Sequence, residues 1–225
     1  MFLKSSFTCI AICLASFLMT TGCESRPTAL TSSNAARITL NEHEILDPPV
    51  EPKHMGGDLV ASGVDEIIIH FTSDVIANAD SPYDVERNFK IFNDSPAPIS
   101  THYLVARGGE IYRFVPKNRV AYHAVNHNSR SIGIEILAIG TEKEMTEKPT
   151  RYISKEVYQK VKANHPEFIG FTDKQYSSVK WLVSQLASEF PKIKADRQHV
   201  RGHEEVDPTR KVDPGDLFDF TKILP

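Results

Sequence analysis

Five residues of this chain have types that hydrolytic chemistry needs, and they come in an order that would let them meet. His203, Lys211 and Asp213 lie in one segment, Gly202–Gly215 (G-H-E-E-V-D-P-T-R-K-V-D-P-G); His70 closes the apolar run Val64–His70, and Glu135 interrupts another at Ser131–Ala138. Two imidazoles and a carboxylate are a donor set for a hydrolytic zinc centre, which takes three protein ligands at about 2.0–2.2 Å and keeps a fourth position for water. A further carboxylate could move protons there, and a cation could stabilise developing negative charge. All of this requires the ligands to converge, which spacing alone does not establish. Each residue also has a plainer role. A strand-end histidine is often a hydrogen-bonded surface group, the aspartate of D-P-G often caps a turn, Glu135 could form an ion pair at a sheet rim, and Lys211 could be a solvated loop charge.

The elements that would position these residues can be read from pattern. Ile67, Ile68 and Ile69 form a β-branched run of the kind found in a central strand covered on both faces, and His70 is expected to end it. Ser81-Pro82-Tyr83-Asp84 supplies an expected N-cap, with a proline at the first helical position and Val85, Phe89 and Phe92 following at helical spacing. Thr101–Arg107 and Glu110–Val115 read as a hairpin turning at Gly108-Gly109, a pair suited to a two-residue turn with both φ positive. Arg119–His123 and Ser131–Ala138 are further strand candidates.

Thr141–Thr150 is charged and proline-interrupted, so it reads as a surface insertion, with a short helix at Ser154–Ala163. From Thr172 a helix carries Tyr176, Val179, Leu182, Val183, Leu186 and Phe190 on one stripe, with Pro191 stopping it. Arg197–Arg201 reads as a last short strand and Leu217–Leu224 as a terminal helical turn. Strands and helices interleave, which predicts an α/β domain with a central mixed β-sheet flanked by helices. In open α/β sheets, sites gather beyond strand ends. That would bring His70 towards His203.

The 225 residues, 40% hydrophobic and 24% charged, suffice for a single domain with its own core. Lys plus Arg at 26 against Asp plus Glu at 29 gives a net charge of -3, which argues against a phosphate backbone as partner. The first 22 residues carry Lys4, an apolar run from Phe7 to Met19 and then Thr20, Thr21 and Gly22, the pattern of a secretory signal. Cys9 and Cys13 fall inside it, so no thiol is left for a disulfide once Cys23 is committed elsewhere. Residues 23–57 read as a tether and an irregular, proline-rich lead-in, and 58–225 as the functional domain.

The constellation resembles the type 2 N-acetylmuramoyl-L-alanine amidase family, to which phage lysozyme-type amidases and animal peptidoglycan recognition proteins also belong. The likeness runs over Asp65–Phe220, through I-I-I-H-F-T at Ile67–Thr72, T-H-Y-L-V-A-R-G-G-E-I-Y-R-F-V-P at Thr101–Pro116, Y-H-A at Tyr122–Ala124, S-I-G-I-E-I at Ser131–Ile136, and G-H with R-K-V-D-P-G in Gly202–Gly215, in the family's order. It implies His70, His203 and Asp213 as Zn²⁺ ligands, Glu135 as the proton-transferring carboxylate and Lys211 as the oxyanion partner. It also implies hydrolysis of the amide between N-acetylmuramic acid and L-alanine in peptidoglycan or muropeptides. His123 falls where the family usually shows W-H; here it is Y-H, so Tyr122 and His123 are expected to line the substrate groove, or His123 to hydrogen-bond to the site, with His102 a substrate-binding residue or one that packs behind the ligands. A non-catalytic peptidoglycan-recognition lipoprotein is the alternative within the same resemblance.

The residues before Cys23 resemble a bacterial lipoprotein processing box, although Thr20 stands where leucine is common. By that resemblance Cys23 would be lipidated and the chain, expected to be a monomer, would be anchored to the membrane by its lipid alone. Glu24, in place of an aspartate retention signal, points by the same resemblance to an outer-membrane location facing the periplasm.

Overall fold

The computed structural model describes residues 43–147, 149 and 152–225, all within one compact unit. The expected signal sequence, Cys23 and most of the tether lie outside the described residues.

Six strands, β1 (Ile45–Leu46), β2 (Glu66–Thr72), β3 (Tyr103–Val105), β4 (Ile111–Arg113), β5 (Ser131–Leu137) and β6 (Val200–Gly202), form one sheet in the order β1-β4-β3-β5-β2-β6. Among the described strands only the β3–β4 pair is antiparallel, so the sheet is mixed. Among the described residues five α-helices accompany it: α1 (Val85–Asp94), α2 (Glu142–Thr146), α3 (Lys155–Asn164), α4 (Asp173–Glu189) and α5 (His203–Val206). The α/β class expected from the interleaved pattern is the class found.

Register decides which residues share a face. His70 pairs with Glu135 and Glu135 with Leu104, while Ile69 pairs with Ile134 and Ile134 with Tyr103. Because side chains alternate along a strand, the isoleucines at 67, 69, 132, 134 and 136 point one way. There they meet Tyr176, Val179, Leu182, Val183 and Leu186 of α4 in the main core. His70 and Glu135 point the other way, on the face where Leu104 and Leu137 pack against Phe89 and Phe92 of α1. One face therefore holds the core under α4, and the other holds a smaller core and the site.

Helix α4 forms where its stripe and caps require. Thr172 accepts from Gln175 N, Gln175 reaches back to Thr172 N in a capping box, and Phe190 is the C-cap just before Pro191.

Several boundaries differ from the sequence reading. Strand β2 runs on to Thr72, so His70 lies inside it rather than at its end. Helix α1 starts four residues after Ser81, because Asp84 is the cap and accepts from Arg87 N at 2.7 Å. The hairpin has a three-residue loop rather than a two-residue turn. Ala106 N donates to Glu110 O, Gly109 N donates to Ala106 O, and only Gly109 takes a positive φ, 93°.

Arg119–His123 forms no strand of the sheet; its backbone pairs instead with the lead-in, Gly56 N donating to Val120 O and Val120 N to Gly57 O. That lead-in is less irregular than expected, since Ile45–Leu46 adds β1 alongside β4. Thr141–Thr150 is no mere surface insertion either. It contains α2, closed by a Thr141/Glu144 capping box and seated by the buried Met145.

Candidate functional site

His70, His203 and Asp213 are brought together by three different elements. β2 carries His70 on the site face, α5 opens directly on His203 after β6 pairs with β2, and a loop beyond α5 returns Asp213 to the same point. That loop is tied at both sides. Glu204 N donates to Asp213 O at 2.9 Å, and Asp216 N donates to the Glu144 carboxylate of α2 at 2.7 Å. The Asp213–Pro214 peptide is cis.

The two imidazoles meet on one carboxylate oxygen. His70 Nδ1 lies 2.9 Å and His203 Nδ1 3.0 Å from Asp213 Oδ2, with the two rings 4.4 Å apart and inclined at 74°. All three residues are at most 3% exposed, which removes water as the competing partner. Asp213 Oδ1 and His203 Nε2 are buried with no hydrogen-bond partner among the described residues.

Burial holds the His70 imidazolium down, to about 4, even though Asp213 favours it, so the ring is neutral near pH 7. Asp213 itself would be raised by burial. The hydrogen bonds and charges of His203 and His70 outweigh that and keep its carboxyl below the usual range. The ionised Asp213 carboxylate lies against two imidazole nitrogens with its Oδ1 unpartnered and buried, an arrangement of electron-pair donors that a cation would satisfy. With one ligand atom from each residue, all within 4.8 Å of one another, the trio can hold a metal ion, and its N, N, O donor set suits zinc.

Glu135 stands beside His70 as its register partner on β5 and is half-buried. Burial first, and the Asp213 charge second, push its carboxyl well above the usual range, while the Lys211 charge opposes them. The Lys211 charge also acts on His70. Glu135, Lys211, His70 and Asp213 thus form one electrostatic unit.

Of the residues expected at the groove, His123 hydrogen-bonds to the site, and His102 and Tyr122 are held by other contacts. His102 is fully buried: Gly133 N donates to its Nδ1 at 3.0 Å, and its Nε2 lies 3.0 Å from Arg119 O. It packs beside His123 with no surface to offer a substrate, which corrects the substrate-binding expectation and leaves the packing one. His123 sits over Gly133, where an added Cβ would come within 2.6 Å of its ring. Its Nδ1 lies 3.0 Å from His70 Nε2 and its Nε2 3.1 Å from Ser131 Oγ. The Tyr122 hydroxyl is directed at Gly56 of the lead-in, 3.1 Å from where a Cβ would stand.

Two residues at the site escaped the sequence reading. Ser131 could have been found, because alternation along S-I-G-I-E puts Ser131, Gly133 and Glu135 on one face of β5. Tyr152 had no such signal. It follows α2, its ring lies 5.9 Å from that of Phe71, and burial with the charges of Asp213 and Glu135 raises its phenol.

Comparison with known proteins agrees with this architecture. The profile of the family described as N-acetylmuramoyl-L-alanine amidase matches residues 61–216. The 1,6-anhydro-N-acetylmuramyl-L-alanine amidase AmpD of Haemophilus influenzae is 33% identical over 128 residues, 56% of this chain and 57% of that protein. The AmpD of Escherichia coli K12 is 28% identical over 126 residues, 56% of each chain. This chain thus spans little more than half the length of the curated relatives it matches.

Among solved structures, a selenomethionine AmpD superposes with a TM-score of 0.52 at 22% identity, covering 82% of this chain and 93% of that one. The N-acetylmuramyl-L-alanine amidase AmiD from E. coli, in complex with anhydro-N-acetylmuramic acid-L-Ala-D-gamma-Glu-L-Lys, gives 0.51 at 24% identity, covering 72% and 56%. At these identities the superpositions establish a common fold. With a profile match running from before β2 to beyond Asp213, this chain belongs to the type 2 N-acetylmuramoyl-L-alanine amidase family.

Proposed function

We propose that this protein is a zinc-dependent N-acetylmuramoyl-L-alanine amidase, hydrolysing the amide between N-acetylmuramic acid and L-alanine in peptidoglycan or muropeptides. The reading is carried by one observation: His70 Nδ1 and His203 Nδ1 converge on the buried Asp213 Oδ2, with Glu135 paired beside His70. The names of the AmpD and AmiD relatives support the choice of bond.

His70, His203 and Asp213 would hold the ion. Zinc bound there would lower the pKa of a water towards about 7 and polarise a carbonyl. Glu135, its proton affinity raised by burial, takes a proton from the attacking water and returns it to the departing alanine nitrogen, so the amine leaves neutral. Lys211 places positive charge where the carbonyl oxygen becomes anionic. The half-buried setting limits the water that would otherwise screen that charge.

We also propose that Cys23 is lipidated and anchors the chain in the outer membrane, facing the periplasm. Among the described residues no helix is long and apolar enough to cross a membrane. Incorporation of labelled palmitate into the wild type but not into Cys23→Ala tests the anchor. For the activity, protein stripped by chelator should lose hydrolysis of a muropeptide and regain it with one equivalent of zinc. Full activity in the metal-free protein rejects the proposal.

A further inference from the structure

The metal-site reading leaves His123 with a ring but no task, and its hydrogen bonds supply one. A line of polar groups crosses the site face from the triad to the backbone. His70 Nε2 lies 3.0 Å from His123 Nδ1, His123 Nε2 lies 3.1 Å from Ser131 Oγ, and Ser131 Oγ lies 2.7 Å from His127 O. The last member fixes the direction of all the others. A backbone carbonyl only accepts, so the Ser131 hydroxyl donates its one proton to it and has only lone pairs left for His123. His123 must then donate from Nε2, and as a neutral ring it accepts at Nδ1. His70 therefore donates from Nε2 and keeps an unprotonated lone pair on Nδ1, the atom that faces Asp213.

Resting on the zinc reading, we propose that Ser131 and His123 are positioning residues that lock His70 as the Nε2–H tautomer and so dedicate its Nδ1 to the metal. Three features of this chain hold the line in place. Gly133 leaves room for the His123 ring against the sheet, since any Cβ there would collide with it. Asn128 Oδ1 accepts from both His123 N at 2.9 Å and Ala124 N at 2.7 Å, fixing the backbone that carries the ring. The His127 ring is pinned by the buried Glu66 carboxylate, which steadies the carbonyl at the end of the line. Partners one step beyond the ligands commonly tune metal affinity by about 10–100-fold.

The test reads protons rather than rates. Long-range ¹H–¹⁵N correlation on the wild type should show His123 as the Nε2–H tautomer with and without zinc, and zinc-loaded His70 protonated at Nε2. Ser131→Ala should disturb the His123 tautomer and weaken zinc binding by about 10-fold, and Ser131→Thr, which keeps the hydroxyl, should restore both. A His123 protonated at Nδ1 in the wild type, which needs no variant to fold, overturns the proposal. So does zinc affinity unchanged in Ser131→Ala while the wild type binds normally. A wild type that binds no zinc instead overturns the metal reading, and its His123 tautomer still decides the direction of the line.

Discussion

His70 and Glu135 are register partners on adjacent parallel strands, β2 and β5, so a proposed metal ligand and a proposed proton carrier stand side by side on one face of a rigid sheet. A strand-borne pair is held more closely than a loop-borne one, and proton transfer depends on that closeness. The loop residues Lys211 and Asp213 are brought to this pair, with Glu144 of α2 bracing the turn that follows Asp213.

Replacing Glu135 by Gln should keep the shape of the site and remove the proton carrier. Turnover is expected to fall on the order of 100- to 10,000-fold with zinc content unchanged. In the wild type the rate should rise with pH through the Glu135 titration, above the usual carboxylate range because burial raises that group. A pH–rate profile of both proteins checks the limb and its loss.

Lys211→Ala should lower turnover on the order of 100-fold or more while leaving zinc bound, since the cation is needed when the carbonyl oxygen gains charge. Steady-state kinetics beside metal analysis separates this from loss of the ion. An equal fall in zinc content would contradict the role.

Asp213→Ala leaves two buried imidazoles without their shared carboxylate, so zinc binding should be lost. Zinc at 100 times its dissociation constant should stabilise the wild type by about 3 kcal/mol and this variant not at all. Thermal unfolding with and without the ion reads the difference.

His102 makes stability depend on pH in a predictable direction. Burial lowers its pKa from 6.5 in the unfolded chain to about 4 in the fold. Between those values the unfolded state binds the proton and the folded state does not. Its contribution is therefore complete above pH 6.5 and is lost as pH falls towards 4. From pH 7 to pH 5 the loss should be about 2 kcal/mol. Denaturant unfolding at both values should show this slope reduced in His102→Asn, whatever that variant's stability at pH 7.

What could be read from sequence followed periodicity. The α4 stripe from Tyr176 to Leu186 and the apolar runs of β2 and β5 announce themselves because each element buries a whole face. The residues Glu135 and His70 were visible as anomalies in those runs, but their adjacency is a matter of register between distant strands, which no local pattern carries. Helix α2 was hidden because charged residues surround its one strong anchor, Met145, and its capping glutamate works by tying the Asp213 loop. His102 and Tyr122 looked like groove residues by proximity to the motif. Hydrogen bonds to Gly133 N and Arg119 O bury His102, and the Tyr122 hydroxyl is directed at Gly56.

The most direct measurement is mass spectrometry of the products formed from a purified muropeptide by the zinc-loaded wild type and by Glu135→Gln. The wild type should release a free peptide beginning with L-alanine together with the intact muramic acid moiety, and Glu135→Gln should leave the substrate essentially whole. Cleavage at any other bond, or muropeptide bound but never cleaved by the zinc-loaded wild type, would contradict the account.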